Sequence, residues 1–202
     1  MKIALNKIIF FAFILLGVCS FAQKKTNKET EFSKTCSEIV NAFARHNIAA
    51  LNKYLEPSIG IYIITRPGVM DAVIHQTKLD EKKPFNIPYP YKDPAQVKKH
   101  NVIFGNSPKY NCGNEKWDKQ GFIADSTTEY DRVSSVMYMI GKYGGEKPDS
   151  DEYEAVKNFE SKSRKVVYTE INKGRGLVFH LTFLNGKWYL FVIDPVATSC
   201  EA

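Results

Sequence analysis

Residues that commonly carry chemistry are scarce in this chain: four histidines, four cysteines and two tryptophans in 202 residues. The cysteines form no C-x-x-C pair and no histidine stands at finger spacing from them, which argues against zinc-finger and dithiol redox chemistry. No G-x-S-x-G, H-E-x-x-H, calcium-loop, P-loop or dinucleotide fingerprint occurs, so no cofactor and no metal is expected and no catalytic residue can be assigned by motif. Gly141 to Gly145 and Asn172-Lys173-Gly174-Arg175-Gly176 are rich in glycine without either phosphate-binding pattern and read as turns. After residue 22 nothing approaches eighteen consecutive apolar residues, so no membrane span is expected.

What the chain does have begins at residue 1. Lys2 and Lys7 precede an apolar run from Ile8 to Val18, and Ser20-Phe21-Ala22 supplies small residues at both recognition positions before Gln23. Residues 1–22 therefore read as a cleavable signal peptide, and the protein as exported, to the periplasm or beyond. As a helix the apolar run rises only about 16 Å, roughly half of a bilayer's hydrocarbon core. Leu16-Gly17-Val18-Cys19 departs from a lipoprotein signal by its valine, which leaves anchoring through Cys19 as the lesser alternative.

Cleavage removes two lysines and no acid, so the formal charge of +6 falls to +4. The remaining lysines, such as Lys24-Lys25, Lys82-Lys83 and Lys98-Lys99, are scattered among acids and polar residues without a nucleic-acid-binding motif. They read as a solvated surface, and no nucleic-acid partner is expected. Cleavage also removes Cys19, leaving Cys36, Cys112 and Cys200 in a compartment where disulfides form. One bridge and one spare thiol is the simplest arithmetic. Cys36 lies on an apolar helical stripe and packs as a small hydrophobe, so the bridge is expected between Cys112 and Cys200.

The mature length suits one domain, residues 32–202, after a polar leader at 23–31. Phe32, Cys36, Ile39, Val40 and Phe43 follow one helical face, and Asn47 is placed to cap a second helix that carries Ile48, Leu51, Tyr54 and Leu55 before Pro57. The β-branched run Ile59 to Ile64 predicts a strand ending at Arg66-Pro67-Gly68, and Val69 to Lys78 a short strand or helical turn. Periodicity then lapses. An insertion at about 80–124 holds Pro84, Pro88, Pro90, Pro94 and Pro108 with aromatics such as Phe85, Tyr89, Tyr91, Phe104, Tyr110 and Trp117. A capping signal at Asp125 or Ser126 with Glu129 predicts a helix over about 127–142, and a more polar helix over 150–161 is expected to ride on the surface.

Three strands close the chain: Lys165 to Ile171, Gly176 to Leu184, and Lys187 to Asp194. Asn185-Gly186 is a type I′ hairpin signal that pairs Leu184 with Lys187. That register puts Leu177, Phe179, Leu181 and Phe183 opposite Asp194, Val192, Leu190 and Trp188 on the core face. The other face, with His180, Tyr189 and Phe191, is too apolar to stay wet. Either the insertion or a second copy of the chain is expected to cover it, and a homodimer would place His180, Tyr189 and Phe191 at its interface.

In outline, two helices, a strand, an excursion, a further helix and a three-stranded meander resemble the NTF2-like superfamily, also called SnoaL-like or cystatin-like. The run Ile48-Ala49-Ala50-Leu51-Asn52-Lys53-Tyr54-Leu55-Glu56-Pro57, with Gly60-Ile61-Tyr62-Ile63 after it, is similar to that family's second helix and first strand. Phe179 to Ile193, with Gly186-Lys187-Trp188-Tyr189, is similar to its closing hairpin. The resemblance covers residues 32–64 and 126–194 and implies an α+β fold in which N-terminal helices pack on a strongly curved, mainly antiparallel sheet, forming a cone. Family members include isomerases, dehydratases, hydrolases, transport factors and noncatalytic accessory domains, so function does not follow from fold.

Family enzymes hold an Asp, His or Tyr at the mouth of the cone, but no motif here matches one. His75 near Asp71 has the makings of a general base with a carboxylate partner, while His46 and His100 have no readable partner. Tyr62, His75 and Tyr168 are the expected lining of a pocket. The leading expectation is a noncatalytic module for a small apolar or amphipathic ligand, or for another envelope protein. The alternative is a small-molecule isomerase, dehydratase or hydrolase with its base in the pocket.

Overall fold

A computed structural model describes residues 27–80, 101–125, 130–144, 148–169 and 176–200. The expected signal peptide, residues 23–26 of the polar leader, His100 and residues 81–99 of the insertion lie outside these residues, while residues 27–31 of the leader belong to the first helix. The apolar stripe forms helix α1, residues 27–44, and buries Phe32, Cys36, Ile39, Val40 and Phe43. Asn47 caps the short helix α2, Ile48–Asn52, by accepting from the Ala50 amide at 2.9 Å. Strands β1 (Ile61–Thr65) and β2 (Ala72–Gln76) follow as an antiparallel pair. Within the insertion come β3 (Ile103–Phe104), the small hairpin β4 (Tyr110–Asn111) and β5 (Lys116–Trp117), and β6 (Phe122–Ala124). Helices α3 (Arg132–Tyr143) and α4 (Ser150–Glu160) lead into β7 (Ser163–Tyr168), β8 (Leu177–Leu184) and β9 (Lys187–Ile193), and a 3-10 turn occupies Pro195–Thr198.

Seven strands form one mixed sheet in the order β2-β1-β9-β8-β7-β6-β3, antiparallel except where β1 meets β9 and β3 meets β6. The fold is thus α+β with a mainly antiparallel sheet. The sheet is not strongly curled, unlike the cone that the resemblance implies. β3 and β6, both within the insertion, belong to this sheet, and of the insertion's described residues the β4–β5 hairpin forms a separate two-stranded sheet.

Helices cover both faces. On the first, α1 and α2 pack on Ile61, Ile63, Leu177, Phe179, Leu181 and Trp188. On the second, α3 and α4 bring Val133, Val136, Met137 and Val156 against Tyr62, Ile64, Phe191 and Val192. Among the described residues, α3 and α4 cover the face expected to need the insertion or a second copy. His180 and Phe191 lie in the interior with at most 1% of their surface exposed. This corrects their placement at a dimer interface: they offer no surface to a partner. Tyr189, on the same face, is half-buried.

The hairpin turn forms as expected, with Asn185 at φ 48° and Gly186 at φ 83°. Leu184 pairs with Lys187, and Leu181 with Leu190. A β-bulge then shifts the pairing, so that Phe179 meets Ile193 and His180 meets Val192. Phe191 is the extra residue, and a bulge turns two successive side chains toward one face. Val192 consequently faces α3 and α4, correcting its expected place opposite Phe179, and Ile193 takes the core position beside Leu190.

Helix α3 starts at Arg132, several residues later than its sequence signal suggests, and its N-cap Asp131 makes no side-chain capping bond. Glu160, from the last turn of α4, does the capping instead: Oε1 accepts from the Val133 amide at 2.6 Å, and the Ser134 amide lies 3.3 Å from Oε2. Burial raises the Glu160 carboxyl above its ordinary range even though the Ser134 and Val133 groups oppose that shift. Helix α4 is thus a structural support with Val156 and Glu160 buried, not the surface rider expected. Cys112 and Cys200 are joined as expected, with Cα atoms 5.4 Å apart, while Cys36 is a buried free thiol. The bond ties the end of the chain to the β4–β5 hairpin. Gly176 lets that hairpin sit close, because a Cβ there would lie 2.9 Å from the Trp117 indole nitrogen.

Candidate functional site

A groove of about 360 Å³ opens on the second face, between the β1–β2 edge of the sheet and helices α3 and α4. Its wall is apolar, made by Val73, Met137, Ile140 and Pro148, and its polar end is Tyr62, His75 and Glu152. Each polar residue is placed by an element. Tyr62 and His75 are direct cross-strand partners on β1 and β2, so their rings stack with centroids 4.3 Å apart and planes within 4°. Glu152 stands in the first turn of α4, a helix capped by Asp149 through the Asp151 and Glu152 amides.

Hydrogen bonds orient all three. The His75 Nε2 lies 2.6 Å from the Ile59 carbonyl oxygen, and since a carbonyl only accepts, that nitrogen carries the proton. Nδ1 faces Glu152 Oε1 at 3.6 Å, beyond hydrogen-bond length. The Tyr62 hydroxyl donates to the same Oε1 at 3.3 Å. Burial first, and then the Glu152 charge, push the Tyr62 phenol well above its ordinary range, so it stays protonated. Glu152 is the one carboxylate in the lining.

Two of the three expected pocket residues, Tyr62 and His75, thus come together. Tyr168 does not join them. It is buried on the opposite face, packed edge-on against Phe122 at 5.1 Å. Asp71 is not the partner of His75 either, because it is bridged by Arg66 at 2.6 Å and Arg132 at 2.6 Å. Partial burial disfavours the Asp71 anion, but the two guanidinium groups outweigh it and hold the carboxyl below its usual range. Glu152 escapes sequence reading because no spacing rule links it to a strand residue so far away in the chain.

The groove is one end of a row of paired residues that crosses the sheet from His75 to Tyr62, Val192, His180 and Lys165. His180 lies in the dry part of this row, stacked beneath Tyr130 with centroids 3.5 Å apart. Neither ring nitrogen has a hydrogen-bond partner among the described residues. Burial, then the charges of Lys165 and Arg132, hold the imidazole well below its ordinary value of 6.5. The folded state therefore resists a proton that the unfolded chain accepts, so stability is full above about pH 6.5 and falls as the pH drops below it. His180→Phe is expected to flatten the loss of melting temperature between pH 7 and pH 5. An unchanged slope would show that other groups carry the acid sensitivity.

No family model, curated protein or solved structure matches the chain.

Proposed function

We propose that the protein is an exported, noncatalytic binding module whose groove takes a small amphipathic ligand, with the ligand's apolar body on Val73, Met137, Ile140 and Pro148. The observation that carries this reading is the pairing of that apolar wall with one carboxylate. Glu152 only accepts hydrogen bonds, so the polar end of the ligand is a donor such as an alcohol or amine. The Cys112–Cys200 bond is compatible with an oxidising compartment and so supports export. Kinship with the NTF2-like superfamily belongs to this proposal. Its support is the order of α1, α2, β1 and the closing β7–β8–β9 meander, with the ligand in a groove under α3 and α4 in place of a cone.

One observation favours an enzyme: with Nε2 held by the Ile59 carbonyl, His75 keeps its Nδ1 on the Glu152 side of the groove. Removing a proton from a substrate builds negative charge, however, and efficient catalysis needs donors aimed at that charge. Here the Tyr62 donor is engaged by Glu152, and the lining adds a carboxylate and no lysine or arginine. Binding is the better fit. Methyl-labelled protein titrated with 1-hexanol and hexylamine is expected to show saturable shifts at Met137, Ile140 and Val73. Met139 is 41% exposed and outside the lining, so it should stay still. Absence of saturation, or equal shifts at Met139, would remove the groove as a ligand site.

A further inference from the structure

The first face of the sheet carries a second arrangement, independent of the groove. Arg164 on β7 and Lys28 on α1 meet over a cluster of four aromatic rings. The Arg164 guanidinium carbon lies 5.3 Å from the centre of Phe32, 5.6 Å from Phe104 and 5.4 Å from Trp188. Lys28 Nζ lies 3.8 Å from the centre of Phe183 and 5.2 Å from Trp188. The rings pack on one another, Phe32 on Trp188 at 4.7 Å and Phe183 on Trp188 at 4.9 Å. The Trp188 indole donates to the Lys28 carbonyl at 3.3 Å and so pins the start of α1 over β9.

Two features of this cluster are uncompensated. Neither Lys28 nor Arg164 makes an ion pair among the described residues. The Arg164 Nη1 is buried and has no hydrogen-bond partner among the described residues. Partial burial, and then the Arg164 charge, hold the Lys28 ammonium below its ordinary range. Ring faces attract cations, but they do not accept the in-plane N–H bonds of a guanidinium. Two like charges with an unsatisfied donor between aromatic walls form a site in want of an anion. The planar fork of arginine suits a bidentate carboxylate or phosphate, lysine adds a point charge, and the rings offer apolar contact. Phe104, on the edge strand, is 37% exposed, and Lys28 is half-buried.

We propose that Lys28 and Arg164, framed by Phe32, Phe104, Phe183 and Trp188, form an oxyanion-binding site for a ligand that carries a carboxylate or phosphate on an apolar body.

Calorimetric titration of the purified protein at low salt with phenyl phosphate, benzoate and inorganic phosphate tests this. Saturable one-to-one binding of phenyl phosphate or benzoate is expected, weakened about tenfold or more by Arg164→Gln and by Lys28→Gln. Whichever of the two probes binds tells phosphate from carboxylate. Should Arg164→Gln fail to fold, Lys28→Gln at the half-exposed position decides. Binding that survives Lys28→Gln, or no saturable heat with any probe, overturns the site. Inorganic phosphate binding as tightly as phenyl phosphate overturns the apolar half of the assignment. Hexanol binding in the groove should be the same in both variants, which separates this result from the function proposed above.

Discussion

Replacing Arg132 with methionine is expected to destabilise the protein by about 2–4 kcal/mol, and to lower its melting temperature by about 5–15 °C. Arg132 opens helix α3 and reaches two carboxylates, Asp71 at 2.6 Å and Asp194 at 3.0 Å. It thereby ties the helix to the segment before β2 and to the chain after β9. Losing the guanidinium leaves Asp194, 5% exposed, with a turn bond from the Val196 amide at 3.1 Å and the Coulombic pull of Lys165. Removing one partner of a buried pair costs more than the pair contributes, because the other charge stays behind. Arg66→Met is the control. Asp71 keeps Arg132 in that variant, so the cost should be about 0–1 kcal/mol, as for an exposed pair. Equal effects of the two substitutions in chemical denaturation would contradict the anchoring role of Arg132.

Opening the Cys112–Cys200 bond, by reduction or by the double serine variant, is expected to cost about 2–4 kcal/mol. The bond joins residues 88 apart in sequence, so it closes a long loop in the unfolded chain. It also holds the last turn, Pro195–Thr198, near the hairpin that packs on Gly176. Alkylation should label neither Cys112 nor Cys200 in the native protein and should reach buried Cys36 only after unfolding. Free thiol at Cys200, or an unchanged denaturation midpoint in the double variant, would count against the bridge as a structural element.

Local pattern made some of this legible and left the rest hidden. The α1 stripe, the Asn47 cap, the Asn185-Gly186 turn and the strand spans all rest on interactions between near neighbours, and each stands within a few residues of where periodicity puts it. The bulge at Phe191 could not be read, because both registers of the hairpin place apolar residues on both faces. That ambiguity also hid what covers the second face. Helix α4 is polar enough to pass for a surface helix, yet its few inward residues, Val156 and Glu160, hold it in place. Glu160 caps α3 from another helix, a long-range bond that no local capping signal announces. Of the groove, the cross-strand pair Tyr62 and His75 was accessible to strand reasoning, whereas Glu152 arrives through tertiary packing alone. Tyr168 was misleading because its strand turns it to the other face.

The central claim is that the groove beside Tyr62, His75 and Glu152 holds a small amphipathic ligand. Met137→Trp fills that groove from α3 without touching the polar end, which makes calorimetry with hexylamine on the wild type and this variant the most direct test. Saturable one-to-one binding to the wild type, lost by at least about tenfold in a folded Met137→Trp protein, is the predicted result. Equal binding to the two proteins would place the ligand elsewhere and contradict the claim.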